Sequence, residues 1–236
     1  IKLIGRARPA EPTRRFFVSD HGKLKIFAYD LDSVLTTPEY QPCVKIDMKK
    51  KLFPDDYLYL NDTLCIAKII EPIGNNDYKP SVARWNMATG EINPMPYEYP
   101  DLKKVRFIYA ASAEHQLYVQ CYTQYDLMTI CDFNGNLKCN IYGPKWVNEK
   151  TQTQHYSLGV EFCGDKILAL YSGGDHRTDA YYPTKFLVFD LNGNYLKTLE
   201  TGYMITDFCY DKENNRLIIN LNDEIQFAYL DLEGII

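Results

Sequence analysis

Two unrelated marks recur along this chain at similar intervals, and a chain that repeats itself every few dozen residues has few folds open to it. The first mark is a turn. Asp132-Phe133-Asn134-Gly135-Asn136-Leu137-Lys138 is echoed by Asp190-Leu191-Asn192-Gly193-Asn194-Tyr195-Leu196-Lys197, with weaker copies at Asn86-Met87-Ala88-Thr89-Gly90-Glu91 and Asp231-Leu232-Glu233-Gly234. The steps are 46, 58 and 41 residues. Asn-Gly between strands signals a tight hairpin, because both central positions of that turn want positive φ. The second mark is a charged residue before an aromatic one at Arg15-Phe16, Asp56-Tyr57, Arg106-Phe107, Glu161-Phe162 and Asp207-Phe208, at steps of 41, 50, 55 and 46. The shared interval fits a four-stranded blade. The chain reads as an all-β propeller of four-stranded antiparallel blades with five copies visible, a single domain over 1–236.

The strands fit blades packed between other blades. Phe186-Leu187-Val188-Phe189, Ile167-Leu168-Ala169-Leu170-Tyr171 and Leu217-Ile218-Ile219 are unbroken apolar runs, as expected when both faces of a strand are covered. A two-sheet sandwich would show alternation and would need no repeat. In the fourth copy the expected strands start near Val160, run over Lys166 to Tyr171 and Lys185 to Asp190, and then follow the turn to Glu200. No segment has a capped helical period. The fifth copy stops after its last turn. Lys2-Leu3-Ile4-Gly5 resembles the outer-strand endings and is expected either to complete that last blade or to be the remnant of an upstream one.

Composition narrows the function. A net charge of −5 argues against nucleic acid or an anionic membrane surface as the partner. Twenty tyrosines and eleven phenylalanines favour strands. No apolar run is long enough to span a membrane. The chain opens at Ile1 without a leader, and the expectation is a mature or N-terminally truncated fragment, with a possible lipid anchor upstream. Seven cysteines include no Cys-x-x-Cys. Cys131 and Cys139 flank a turn and would meet in one register, the alternative being buried free thiols.

The blade texture, the tyrosine-rich strands and the opening Gly5-Arg6-Ala7-Arg8-Pro9-Ala10-Glu11 resemble the TolB-like six-bladed propeller proteins of Bacteroides-type bacteria, many of them predicted lipoproteins. Members carry Gly-x-Gly-x-Gly-Pro-x-Glu where this chain keeps only Gly5, Pro9 and Glu11. The resemblance implies six blades and an extracytoplasmic location, in the periplasm or at the outer membrane. It implies no established activity.

Catalytic signatures are missing: no Gly-x-Ser-x-Gly, no His-Glu-x-x-His, no phosphate loop and no dinucleotide fingerprint. The four histidines lie far apart and read as surface or loop residues. Asn61-Asp62-Thr63 fits a glycosylation acceptor in a turn between a first and a second strand. Two groups are candidate binding residues. Arg15, Asp56, Arg106, Glu161 and Asp207 begin inner strands and would ring one mouth of a channel, or pair with one another to hold blades together. Trp146, with the loop residues Asp175, His176, Arg177, Tyr181 and Tyr182, belongs to long connections on one face, where rigid scaffolds place recognition. The reading is a non-enzymatic binding or scaffold propeller with no cofactor or metal, recognising a protein, peptide or glycan. The competing reading is a propeller hydrolase or lyase at the channel mouth, with a divalent cation. Converging carboxylates would favour the second, and arginines in the ring oppose it.

Overall fold

The two best-formed turns show how this sequence makes a hairpin. Asp132 Oδ1 accepts the backbone N–H groups of Asn134 and Asn136 at 2.9 and 2.8 Å, and Oδ2 accepts the Asn136 side-chain amide at 2.8 Å. Asp190 makes the same three bonds with Asn192 and Asn194. Only the glycine of each turn has positive φ, +80° at Gly135 and +86° at Gly193. The expected two-residue turn would need two such residues. These turns are longer, and each sits beside a register slip, between Ile130 and Cys131 and between Val188 and Phe189, as a bulged hairpin requires.

The computed structural model describes residues 7–10, 14–20, 22–48, 53–75, 77–100, 102 and 105–236. They form five antiparallel blade sheets divided between two compact units, residues 1–98 and 99–236. In the N-terminal unit, one sheet holds β1 (Ala7–Ala10), β2 (Arg15–Asp20), β3 (Lys25–Asp30) and β4 (Cys43–Asp47). The next holds β5 (Phe53–Asn61), β6 (Leu64–Gly74), β7 (Asp77–Asn86) and β8 (Glu91–Pro94). In the C-terminal unit the third sheet comprises β9 (Phe107–Ser112), β10 (Leu117–Tyr122), β11 (Leu127–Asp132) and β12 (Leu137–Tyr142). The fourth comprises β13 (Thr153–Cys163), β14 (Lys166–Asp175), β15 (Lys185–Asp190) and β16 (Tyr195–Glu200). The fifth has three strands, β17 (Ile205–Asp211), β18 (Arg216–Leu221) and β19 (Phe227–Asp231).

One backbone bond recurs in four sheets. The residue just past the third strand donates its N–H to the turn between the first two: Met48 to Leu24, Ala88 to Asp62, Phe133 to Gln116 and Leu232 to Asn215, at 2.7 to 3.0 Å. Leu24, Gln116 and Asn215 all take positive φ there, 54°, 53° and 47°. The bond fixes the equivalences: β2, β5, β9 and β17 are first strands. It also sets the first sheet apart, because its fourth strand is not an outer one. β1 pairs instead with β2 on the side away from β3.

Other expectations are adjusted. The first strand of the fourth sheet begins at Thr153, seven residues before Val160, because a bulge between Tyr156 and Val160, with Leu158 at φ 67°, lets the strand continue. A short helix, α1 (Leu31–Thr36), fills the β3–β4 connection, capped by Asp30 accepting from Ser33 N–H. Cys139 lies opposite Ile130 and Cys131 opposite Leu137, so the bulge takes the two sulfurs out of register and both remain free thiols. The proposed closing strand at 2–5 lies outside the described residues. Asn61 and Thr63 do sit in the β5–β6 turn, where Thr63 donates both its N–H and its hydroxyl to the Asn61 side chain.

Each unit has its own apolar core. In the first, Phe17, Ile26, Tyr57, Cys65, Ile69 and Trp85 pack between the two sheets. In the second, Val119, Cys121, Met128 and Ile130 pack against Tyr156, Val160, Ile167 and Ala169, joining the third sheet to the fourth. Phe186 and Val188 then meet Ile205, Phe208 and Leu217 from the fifth. This is why the strands are apolar on both faces.

Candidate functional site: one loop face of the C-terminal unit

The connections at one end of the C-terminal sheets are tied to each other by backbone bonds. Thr123 N–H donates to Arg106 O and His155 N–H to Thr123 O, both near 2.8–2.9 Å, while His176 N–H reaches Gln152 O at 3.2 Å. His176 Nδ1 meets the same carbonyl at 3.0 Å. Lys145 Nζ lies 3.5 Å from Gly173 O. The segment after β12 and the segment after β14 therefore lie side by side.

Trp146 is the centre of an aromatic cluster. Its ring centroid is 5.2 Å from Tyr142, 5.8 Å from Tyr99 and 6.3 Å from Tyr125. The Tyr99 and Tyr142 hydroxyls are 3.4 Å apart. Tyr125 is buried, Trp146 is half-buried, and Tyr142 is 51% exposed. The cluster thus grades from anchored to accessible, with polar edges outward, which suits recognition of a partly polar partner.

The loop after β14 is built from its own polar groups. Asp175 Oδ1 accepts Arg177 N–H at 2.9 Å, and Thr178 Oγ1 donates to Asp175 O at 3.1 Å. Ser172 Oγ donates to Ala180 O at 2.6 Å, and a single 3₁₀ turn covers Asp179–Tyr181. Asp175, His176 and Arg177 are exposed. Tyr181 and Tyr182 stack at 4.2 Å and are half-buried. The two tyrosines brace the loop, and the charged residues present it.

The charged column is placed differently. Ser112, Cys163 and Asp211 end the first strands of the three C-terminal sheets, opposite Leu117, Lys166 and Arg216. The turns that follow are linked across sheets, His115 Nε2 to Gly164 O at 2.8 Å and Lys212 to Glu114 at 2.8 Å. Counted back from those ends, Arg106, Asp207 and Glu161 stand six, four and two residues away. At about 3.3 Å per residue, Arg106 and Glu161 differ in level by roughly 13 Å. These three descend as a staircase and do not share one mouth. In the N-terminal unit Arg15 opens β2 opposite Asp30, and Asp56 lies within β5. Ser33 holds the Asp30 carboxyl below its usual range, with the Arg15 charge adding to the effect.

Sequence reasoning missed one group beneath this face. His155, expected at the surface, is 2% exposed, and Asp126 beside it is 1% exposed. Asp126 sits in the β10–β11 loop. Its Oδ2 accepts Lys145 N–H at 2.9 Å and its backbone carbonyl accepts Gly143 N–H at 2.8 Å. Its Oδ1 lies 3.7 Å from His155 Nδ1, which is 3.3 Å from the Tyr171 hydroxyl. Burial pushes Tyr171 above its usual pKa, with the Asp126 charge adding to that. Nothing in the sequence joins these residues, which lie on three separate elements; only polar residues at strand ends, among apolar runs, marked them. Among the described residues, no group of three or more His, Cys, Asp or Glu side chains converges as a metal site would require.

No family model and no curated protein matches the sequence. Solved structures do match in fold. A member of the DUF4221 family from Bacteroides vulgatus aligns with TM-score 0.60 and 13% identity, over 97% of this chain and 77% of that one. The extracellular domain of BT4673 from B. thetaiotaomicron aligns at 0.58 and 10%, over 95% of this chain and 27% of that one, so the chain spans about a quarter of that domain's length. XC5397 from Xanthomonas campestris, described as a gluconolactonase, aligns at 0.54 and 16%, over 88% of this chain and 66% of that one. The class these likenesses define is the β-propeller, in agreement with the five blade sheets.

Proposed function

We propose that the chain is a non-catalytic recognition propeller that binds a protein, peptide or glycan through the loop face of its C-terminal unit. The observation that carries this is the graded Trp146 cluster set beside the exposed Asp175–Arg177 loop, both hung from rigid sheets. Aromatic and arginine anchors held on a pre-formed surface give contact at low entropic cost. The proposed location is outside the cytoplasm, with a lipid anchor as one means of retention; the shared fold with an extracellular domain supports it. No helix among the described residues is long and apolar enough to cross a membrane.

The test is a screen of the purified chain against a glycan array and an immobilised peptide library. Trp146→Ala and a form with Gly174–Tyr182 cut to a short turn should each lose the hits that the parent gives. Undiminished binding by both variants would remove this face from the proposal. The second reading, a hydrolase or lyase acting with a divalent cation, draws support from the fold shared with XC5397. Turnover of a sugar lactone that depends on added calcium would select it over the first.

A further inference from the structure

The Trp146 segment is held to the third sheet by a carboxylate that water does not reach. Asp126 supplies two of its fixed points, taking Lys145 N–H on Oδ2 and Gly143 N–H on its backbone carbonyl, while Thr151 pairs with Gln124 further along. The packing is tight enough that a Cβ on Gly143 would come within 2.1 Å of the Asp126 carboxyl. The other carboxylate oxygen has no well-formed hydrogen bond; it faces His155, and the Tyr171 hydroxyl is near enough to act on it. A buried carboxylate with one oxygen unsatisfied, beside a buried imidazole, is a place where one proton changes the balance of forces.

We propose that Asp126, His155 and Tyr171 form a proton-sensitive latch, which keeps the Trp146 segment seated while His155 is neutral and releases it when His155 takes up a proton. The groups facing His155 come from each element around it. Asp126 of the β10–β11 loop attracts the charged ring. Lys145 of the β12–β13 connection repels it. Tyr171 of β14 offers only a hydroxyl, with Lys185 of β15 lying 5.7 Å above the Tyr171 ring. Tyr156, next in β13, packs its ring edge-on against Tyr171 at 5.3 Å. Burial is the largest influence on the ring and opposes its charge, Lys145 acts in the same direction, and the Asp126 attraction offsets them only in part. The charged ring is therefore better accommodated where water can reach it. The route to water is the exposed connection that touches Asp126 through Gly143 and Lys145. That segment carries Trp146, so the latch would set when the aromatic cluster is assembled.

The latch is testable without a ligand, so it stands or falls separately from the binding reading. The chain has two tryptophans, and Trp85 is buried in the other unit. In a Trp85→Phe background, Trp146 emission should shift reversibly as pH falls from 8 to 4.5, with a midpoint below the ordinary histidine value of about 6.5. His155→Gln should abolish the shift. An unchanged transition in His155→Gln, or flat emission in the parent, would overturn the latch. Should His155→Gln not fold, the imidazole resonances of the parent decide. One of them must titrate at the emission midpoint, and a mismatch rejects the proposal.

Discussion

Gly143 lies so close over Asp126 that a methyl group in place of its hydrogen would sit 2.1 Å from the carboxyl carbon. The obstacle is a buried carboxylate already fixed by Lys145 N–H, so it has little room to give way. Gly143→Ala is expected to destabilise the fold by about 1–3 kcal/mol, the usual cost of overpacking. Urea denaturation of the variant checks this, and an unchanged midpoint would contradict the close approach.

The turn glycines differ in what surrounds them. Gly193 and Gly202 share positive φ, but a Cβ at Gly193 would meet Cys139 Sγ at 2.8 Å and Ile141 at 2.9 Å, while Gly202 faces open space. Gly202→Ala should cost only the backbone strain, about 1 kcal/mol. Gly193→Val should cost at least 2 kcal/mol, as strain and crowding add. Thermal melts of the two variants should separate clearly; equal melting temperatures would show that Cys139 and Ile141 do not crowd the turn.

Acid should weaken the protein through His155. Its folded-state pKa is lowered, chiefly by burial, so the unfolded chain binds the proton more tightly. This contribution is fully present above about pH 6.5 and is lost as pH falls from there toward the lowered folded value. The parent should therefore lose more stability than His155→Gln between pH 7.5 and pH 5 in paired urea titrations. Equal losses would place the titrating group elsewhere.

Tyr59 donates its hydroxyl to Asp62 at 2.5 Å, and Asp62 also pairs with Lys45 at 2.7 Å. Burial, aided by that carboxylate, pushes Tyr59 up to about 12. In ultraviolet titration of the folded chain, one late-ionising phenol should ionise earlier in Asp62→Asn than in the parent. A parent curve with no late step would remove this network.

Thiol labelling offers an independent check on the sheets. Cys43 and Cys209 are exposed, whereas Cys65, Cys121, Cys131 and Cys163 are buried. Burial raises Cys65 to about 12 and Cys131 to about 11, so neither supplies the thiolate that reacts. Iodoacetamide at pH 8 should modify Cys43 first. Cys209 should follow more slowly, its thiol being raised by partial burial and by Glu161 and Asp207 nearby. Early labelling of Cys121 or Cys163 would contradict the packing.

The blade repeat was readable because hairpins and buried strands leave local marks. Asp132 and Asp190 bond within their own turns, and the run Phe186–Phe189 states its two-sided burial directly. The pairing of β1 left no local mark, since nothing in the sequence tells which side of β2 a short strand such as Ala7–Ala10 will join. The early start of β13 was hidden by its bulge, where Leu158 adopts a conformation that leucine seldom signals. The charged column followed a dipeptide spacing, and spacing alone does not say how far each residue stands from the end of its strand. The Trp146 and Asp175 connections were found because length and composition mark loops. Asp126 and His155 were not, because their meeting depends on how the third and fourth sheets pack.

The bond that runs in four sheets from the end of the third strand back to the first turn has a consequence for how such a chain comes into being. It joins residues close in sequence, Phe133 to Gln116 or Leu232 to Asn215, and it lies wholly within one sheet. Each of these four blades can therefore finish that end unaided, as soon as its third strand has left the ribosome. Short-range closure of this kind is quick compared with contacts between distant segments. The slow part of assembly is left to the faces, and a lineage could gain or shed a blade without having to redraw that seam.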